Sequence, residues 1–210
     1  MSYDPTDAAM DEFYERIGDE LYPEHREQAL SKFTAERLRS YYLINPMVMR
    51  PAVDAFQEMR KLQDNGHAAA ALVFASSAIE LFLKATVLQP VVHGLVHTPA
   101  LADIIVQFAV GQTGFDRYRA LLSRLFAELA EVDLMKVTRE GANVALIDES
   151  QKVQKLRNDI IHKGTTCQIE DAKHAAAVAV AVFQQIVVPM LGALGLTVGE
   201  RGRIERIPRL

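Results

Sequence analysis

The sequence predicts an all-α protein, a helical bundle, and three observations carry that prediction. Apolar residues recur at helical spacing along most of the chain, alternating β-branched runs are absent, and no Asn-Gly or Asp-Gly turn joins two strand-like runs. With 210 residues, half of them apolar, a sizeable core can be buried, and one domain is the expectation.

Helices are predicted near 6–21, 24–43, 47–64, 66–88, 99–109, 115–136, 148–163 and 168–195. The first is acidic: residues 1–24 hold eight acids against Arg16 alone, net −7, which leaves +3 of the total −4 for residues 25–210. Asn65-Gly66 breaks the helix 47–64 from the next. The helix 66–88 is apolar nearly all round yet carries Ser76, Ser77, Glu80 and Lys84. Thr98-Pro99 offers an N-cap with proline at the first helical position. Gly164 supplies a stop for 148–163, and Thr165 with Gln168 has capping-box spacing before 168–195. Three regions follow: an acidic N-terminal helical extension at 1–45, the bundle at 46–196, and a basic tail at 197–210. With four arginines against two glutamates from Glu200 to Leu210, the tail is expected to fray or bind a partner.

Composition excludes several classes. A charged fraction of 24% with net charge −4 fits neither a disordered tail nor a polycation that coats nucleic acid. Cys167 is alone and cannot form an internal disulfide, and no secretion signal is visible, so a cytoplasmic location is expected. Ala175 to Leu196 is apolar, but it contains Gln184, Gln185 and Pro189, is rich in alanine and lacks aromatic flanks. A helix buried at the centre of the bundle is expected there, and no membrane partner.

Most chemical motifs are missing. His93 and His97 have the spacing of a zinc pair, but Gly94 lies between them and a third ligand is not evident, so no metal is expected. No glycine-rich phosphate loop follows a strand, neither Ser76 nor Cys167 has a recognisable base, and His174 reads as a surface or packing residue. No cofactor is expected.

The informative stretch is Gln154 to Gly164, Gln-Lys-Leu-Arg-Asn-Asp-Ile-Ile-His-Lys-Gly. Arg157 offers a fork of donors suited to phosphate oxygens, and His162 can take and give a proton near neutrality. Val153, Leu156, Ile160 and Ile161 are placed on the core face by their spacing, while Asn158 and His162 share another face. Arg157 and His162 stand about 140° apart around the helix axis at 100° per residue. They converge only if the arginine wraps, the helix end distorts, or a second copy of the helix contributes, as in an isologous dimer. From Gln151 to Gly164, Lys152, Lys155, Arg157 and Lys163 against Asp159 give net +3, which suits RNA, although basic residues near a helix carboxyl end are also favourable for dipole reasons. Upstream, Glu80 and Lys84 are spaced as an i,i+4 ion pair. Either they satisfy each other, or Glu80 reaches across the bundle to Arg157 or its neighbours.

Arg157-Asn158-Asp159-Ile160-Ile161-His162 resembles the Arg-x4–6-His signature of HEPN domains. The segment from Ser77 through Glu80 and Lys84 to Leu88 resembles that family's early long helix. The resemblance covers roughly residues 47–195. It implies a compact helical bundle that dimerises and, in many members, cleaves RNA without a metal as a toxin or anti-phage effector, so RNA, a second copy and an antitoxin or regulatory protein are the implied partners. Carried over by position, Arg157 holds the scissile phosphate, Asn158 orients it or the histidine, and His162 is acid or base. Glu80, Asp159 and Lys84 support the site, and Lys152, Lys155 and Lys163 bind RNA. Members paired with small nucleotidyltransferases commonly carry a tyrosine two residues after the histidine, where this chain has Gly164. That puts antitoxin control by nucleotide addition in doubt. The alternative is a catalytically inactive HEPN module that binds nucleotide, RNA or a partner protein.

Overall fold

The computed structural model describes residues 10, 16, 23–96, 98–107 and 115–208. The helix expected at 6–21 lies outside them except for Met10 and Arg16. The protein is all-α apart from a short C-terminal hairpin. Its helices are α1 (Pro23–Ile44), α2 (Arg50–Asp64), α3 (Ala68–Leu83), α4 (Gln89–Leu95), α5 (Pro99–Ile105), α6 (Phe115–Ala130), α7 (Leu146–Lys163), α8 (Ile169–Val182) and α9 (Val188–Ala193). The strands β1 (Leu196–Val198) and β2 (Ile204–Arg206) pair antiparallel, with Leu196 opposite Arg206 and Val198 opposite Ile204.

Helix α3 is the hub, packed along α2 on one side and α8 on another, with α7 also against it. Its alanine-rich sequence explains this position: Ala71, Ala75 and Ala78 are fully buried, so neighbouring backbones approach closely while Leu72, Ile79 and Phe82 fill the gaps. Asn65-Gly66 separates α2 from α3 as expected, with Gly66 at a φ of 78°.

The expected helix 66–88 continues to Leu95 through a π-helical turn at Lys84–Leu88, and the last helix has a matching turn at Phe183–Val187. Each turn precedes a proline, Pro90 and Pro189. A helical proline has no N–H for the carbonyl four residues back and crowds it, and a widened turn accommodates the ring. At the first of these turns the freed carbonyl finds a donor: the Tyr42 hydroxyl of α1 donates to the Thr86 carbonyl at 2.5 Å in the core. Burial, followed by the nearby Tyr41, pushes the Tyr42 pKa up, so the hydroxyl keeps its proton.

Ala68–Leu95 and Ile169–Ala193 are long and apolar enough to cross a membrane by length and composition, and 61% and 56% of their most apolar windows are buried within the protein. Their apolar faces are core faces, lined by residues such as Ile79, Leu83, Val178 and Val182.

Segments on both sides of the central bundle reach its core. Within the extension expected at 1–45, α1 places Leu38 and Tyr42 in the common core, and Arg37 Nε donates to the Gly94 carbonyl of α4 at 2.8 Å. A side chain at Gly94 would meet Leu38 Cδ2 at 2.8 Å, so glycine permits this close crossing. The tail at 197–210, expected to fray or to bind a partner, does not fray through Arg206 but forms the hairpin. Leu196 and Ile204 are buried, and Ile204 N–H donates to the Pro46 carbonyl at 2.8 Å. Three-residue strands are too short to show a period-2 pattern against a basic, glycine-bearing background.

Candidate functional site

Helix α7 carries the arginine and histidine singled out by sequence. Asp148 and Glu149 in its first turn and His162 and Lys163 in its last complement the helix dipole. Gly164 ends it in the left-handed region at φ 64°, with its N–H donating to the Ile160 carbonyl at 3.2 Å. The next helix begins with a capping box of Gln168 and Asp171, three residues beyond the Thr165–Gln168 box expected, and the Gln168 N–H donates to Asp171 Oδ2 at 3.0 Å.

Burial falls off along α7. Leu146, Ile147, Glu149, Ser150 and Val153 are buried, Leu156 and Ile160 are half-buried against the core, and Asn158, His162 and Lys163 are exposed. The core position expected for Ile161 is incorrect, because it is 47% exposed. It lies 100° around the helix from Ile160, past the edge of the buried stripe and between Arg157 and His162.

Arg157 is half-buried, and its Nη1 donates to Asn158 Oδ1 at 2.8 Å. Asn158 shares its face with His162 one turn later. Among the described residues His162 has no hydrogen-bond or ion-pair partner. Asp159 and Lys163 pair with each other at 2.7 Å. The Lys163 hydrogen bond lowers the Asp159 pKa, with desolvation opposing it and the charges of Lys163 and Lys155 assisting. Lys152 and Lys155 line a shallow groove of about 570 Å³ that runs past Gln151 to Asn158. Asp148, at the other end of that groove, is held by Arg119 at 2.8 Å.

Of the two arrangements open to Glu80, the local one is found: Lys84 Nζ donates to Glu80 Oε1 at 2.8 Å, and no ion pair among the described residues joins Glu80 to Arg157. The pair lines a separate groove with Ser77 and Gln89. His93 stacks on Tyr41 with ring centroids 5.6 Å apart, and His97 lies outside the described residues. Among the described residues no three of His, Cys, Asp and Glu gather as metal ligands. Burial, then Asp171, raises the Cys167 pKa, which keeps the thiol protonated at neutrality.

Sequence reasoning missed a buried carboxylate. Glu149 has 7% of its side chain exposed, takes hydrogen bonds from Arg139 Nη2 at 2.9 Å and Nε at 3.4 Å, and has His174 Nε2 at 3.8 Å. The signal was present, since Glu149 falls on the stripe of Leu146, Ser150 and Val153, and a carboxylate there requires a cation. Its partners lie on a loop and on α8, so the sequence did not show which cation answered it.

No family model matches the chain, and no curated protein or solved structure matches it.

Proposed function

We propose that this chain is a HEPN-type endoribonuclease of the cytosol, acting as a homodimer and serving as a toxin or phage-defence effector restrained by a partner protein. The observation that carries the reading is the exposed end of α7. There Arg157 is turned onto Asn158, His162 one turn on is unpartnered among the described residues, and Lys152 and Lys155 line the adjoining groove.

The chemistry follows from the residue types. His162 of one protomer removes the proton of a ribose 2′-hydroxyl, whose oxygen attacks the adjacent phosphorus. The 5′-oxygen leaves with a proton from the second histidine, and Arg157 offsets charge on the phosphorane while Asn158 orients the guanidinium. The products are a 2′,3′-cyclic phosphate and a 5′-hydroxyl, and DNA, lacking the nucleophile, is not cut. Exposed Ile161 between the two functional side chains favours a second copy on this face, where an apolar contact brings two α7 ends together.

The test is incubation of labelled tRNA, messenger RNA and a DNA strand of matched sequence with the protein in excess EDTA. RNA cleavage ending in cyclic phosphate is expected from the wild type, with losses of roughly 10²-fold or more in Arg157→Ala and His162→Ala. Equal cleavage by the variants, or cutting of the DNA, refutes the proposal. Retained RNA affinity without turnover assigns the chain to the inactive binding modules instead.

A further inference from the structure

A mostly apolar recess lies away from α7. A cavity of about 400 Å³ opens between α2, α3, the π-helical turn Phe183–Val187 and the C-terminal hairpin, and no α7 residue lines it. Phe56, Phe82 and Phe183 form its walls, with the Phe82 and Phe183 rings 5.5 Å apart and tilted by 38°. At its mouth stand Arg60 and Arg201, both exposed, together with the Gln184 carboxamide. Neither arginine has an ion-pair partner among the described residues, whereas nearby Arg203 is paired with Glu205.

Two backbone irregularities converge on this recess. Arg201 is one of two non-glycine residues with positive φ among those described, at 54°, a conformation that costs on the order of 1–3 kcal/mol and persists where surrounding structure enforces it. The enforcement is visible next door. Gly202 sits against α2 so closely that a side chain there would meet Val53 Cγ2 at 2.6 Å, which pins the turn and presents Arg201 at the mouth. The second irregularity is the π-helical turn, which carries Phe183 and Gln184 into the lining. Such turns recur at functional sites.

We propose that this recess binds a small organic anion with a flat apolar body, the body against the phenylalanine side chains and the anionic group on Arg60 and Arg201. An apolar cavity of this size with a few convergent polar groups is the form small-molecule sites take. Guanidinium forks recognise carboxylate, sulfonate or phosphate oxygens in pairs. The site is independent of RNA cleavage at α7 and stands whether or not that activity is found.

Anilinonaphthalene sulfonate has this shape and charge and reports binding by fluorescence. The wild type is expected to bind one probe per chain saturably. Arg60→Ala and Arg201→Ala are each expected to weaken it roughly fivefold to tenfold, while Lys152→Ala and Lys155→Ala leave it unchanged. The neutral analogue phenylnaphthylamine is expected to bind more weakly and to ignore the arginine substitutions, and inorganic phosphate at equal concentration is expected not to displace the sulfonate. Both arginines are exposed, so these variants keep the fold, which circular dichroism verifies. Absence of saturable binding, equal affinity in the arginine variants, or displacement by inorganic phosphate overturns the proposal.

Discussion

Glu149 and Asp159, ten residues apart on one helix, show how burial decides what a carboxylate does. Glu149 is shielded and held by two guanidinium contacts, so removing its partner strands a buried charge. Arg139→Ala is therefore expected to lower unfolding stability by about 2 kcal/mol, read by urea denaturation. Truncation of both partners, Arg139→Ala with Glu149→Ala, is expected to cost less than the two single losses summed. Asp159 is on the surface, and its contact with Lys163 is local. Its folded pKa lies below the ordinary carboxylate value, so the contribution of this pair is full above the unfolded pKa and is lost as pH falls through the lowered folded one. Lys163→Ala is expected to return the Asp159 titration upward toward the ordinary value, measured by NMR of the side-chain carboxyl. The spacing could have shown that pair, because i,i+4 neighbours meet whatever the rest of the fold does, but Asp159 and Lys163 were read from sequence with separate roles.

Within the elements, the two π-helical turns show a local sequence problem solved by tertiary structure. The helix expected at 66–88 stops before Pro90 and the one expected at 168–195 runs through Pro189, and in the structure both helical runs continue past their prolines after a π-helical turn. The Thr86 carbonyl, which loses its helical donor to Pro90, receives the Tyr42 hydroxyl from another helix. Tyr42→Phe leaves that carbonyl buried without this donor and is expected to cost about 1–3 kcal/mol. Hydrogen exchange around residues 84–90 is expected to accelerate with it, while exchange in α2 changes less. If stability and exchange are both unchanged, the tyrosine is a packing residue only. Helix α7 was legible in its start, its stripe and its glycine stop, but the outward turn of Ile161 was not. Periodicity gives the direction of a side chain around the axis and not the point along the helix where the neighbouring elements end.

At the scale of the whole molecule, the core is assembled from segments that sequence divides. Leu38 and Tyr42 from α1, and Leu196 and Ile204 from the hairpin, join the cluster centred on α3 and α8. Removal of residues 196–210 is expected to reduce stability by roughly 3–5 kcal/mol, since two large aliphatic side chains leave the core. A basic tail without structure would be lost with no change in the urea midpoint. The same deletion removes Arg201 and the hairpin wall of the recess, so probe binding is expected to fall with it.

By itself the sequence determined the helical class, most helix positions and the Gly66 and Gly164 stops. All of these rest on interactions within a few residues, where spacing is the geometry. Tertiary structure alone decided that Glu149 meets Arg139, that Tyr42 caps the carbonyl freed by Pro90, that the C-terminal segment closes the core, and that Arg60 and Arg201 come to one cavity. Those contacts join residues from separate elements, and their partners are chosen by how the helices pack, a property of the whole chain that no local pattern contains.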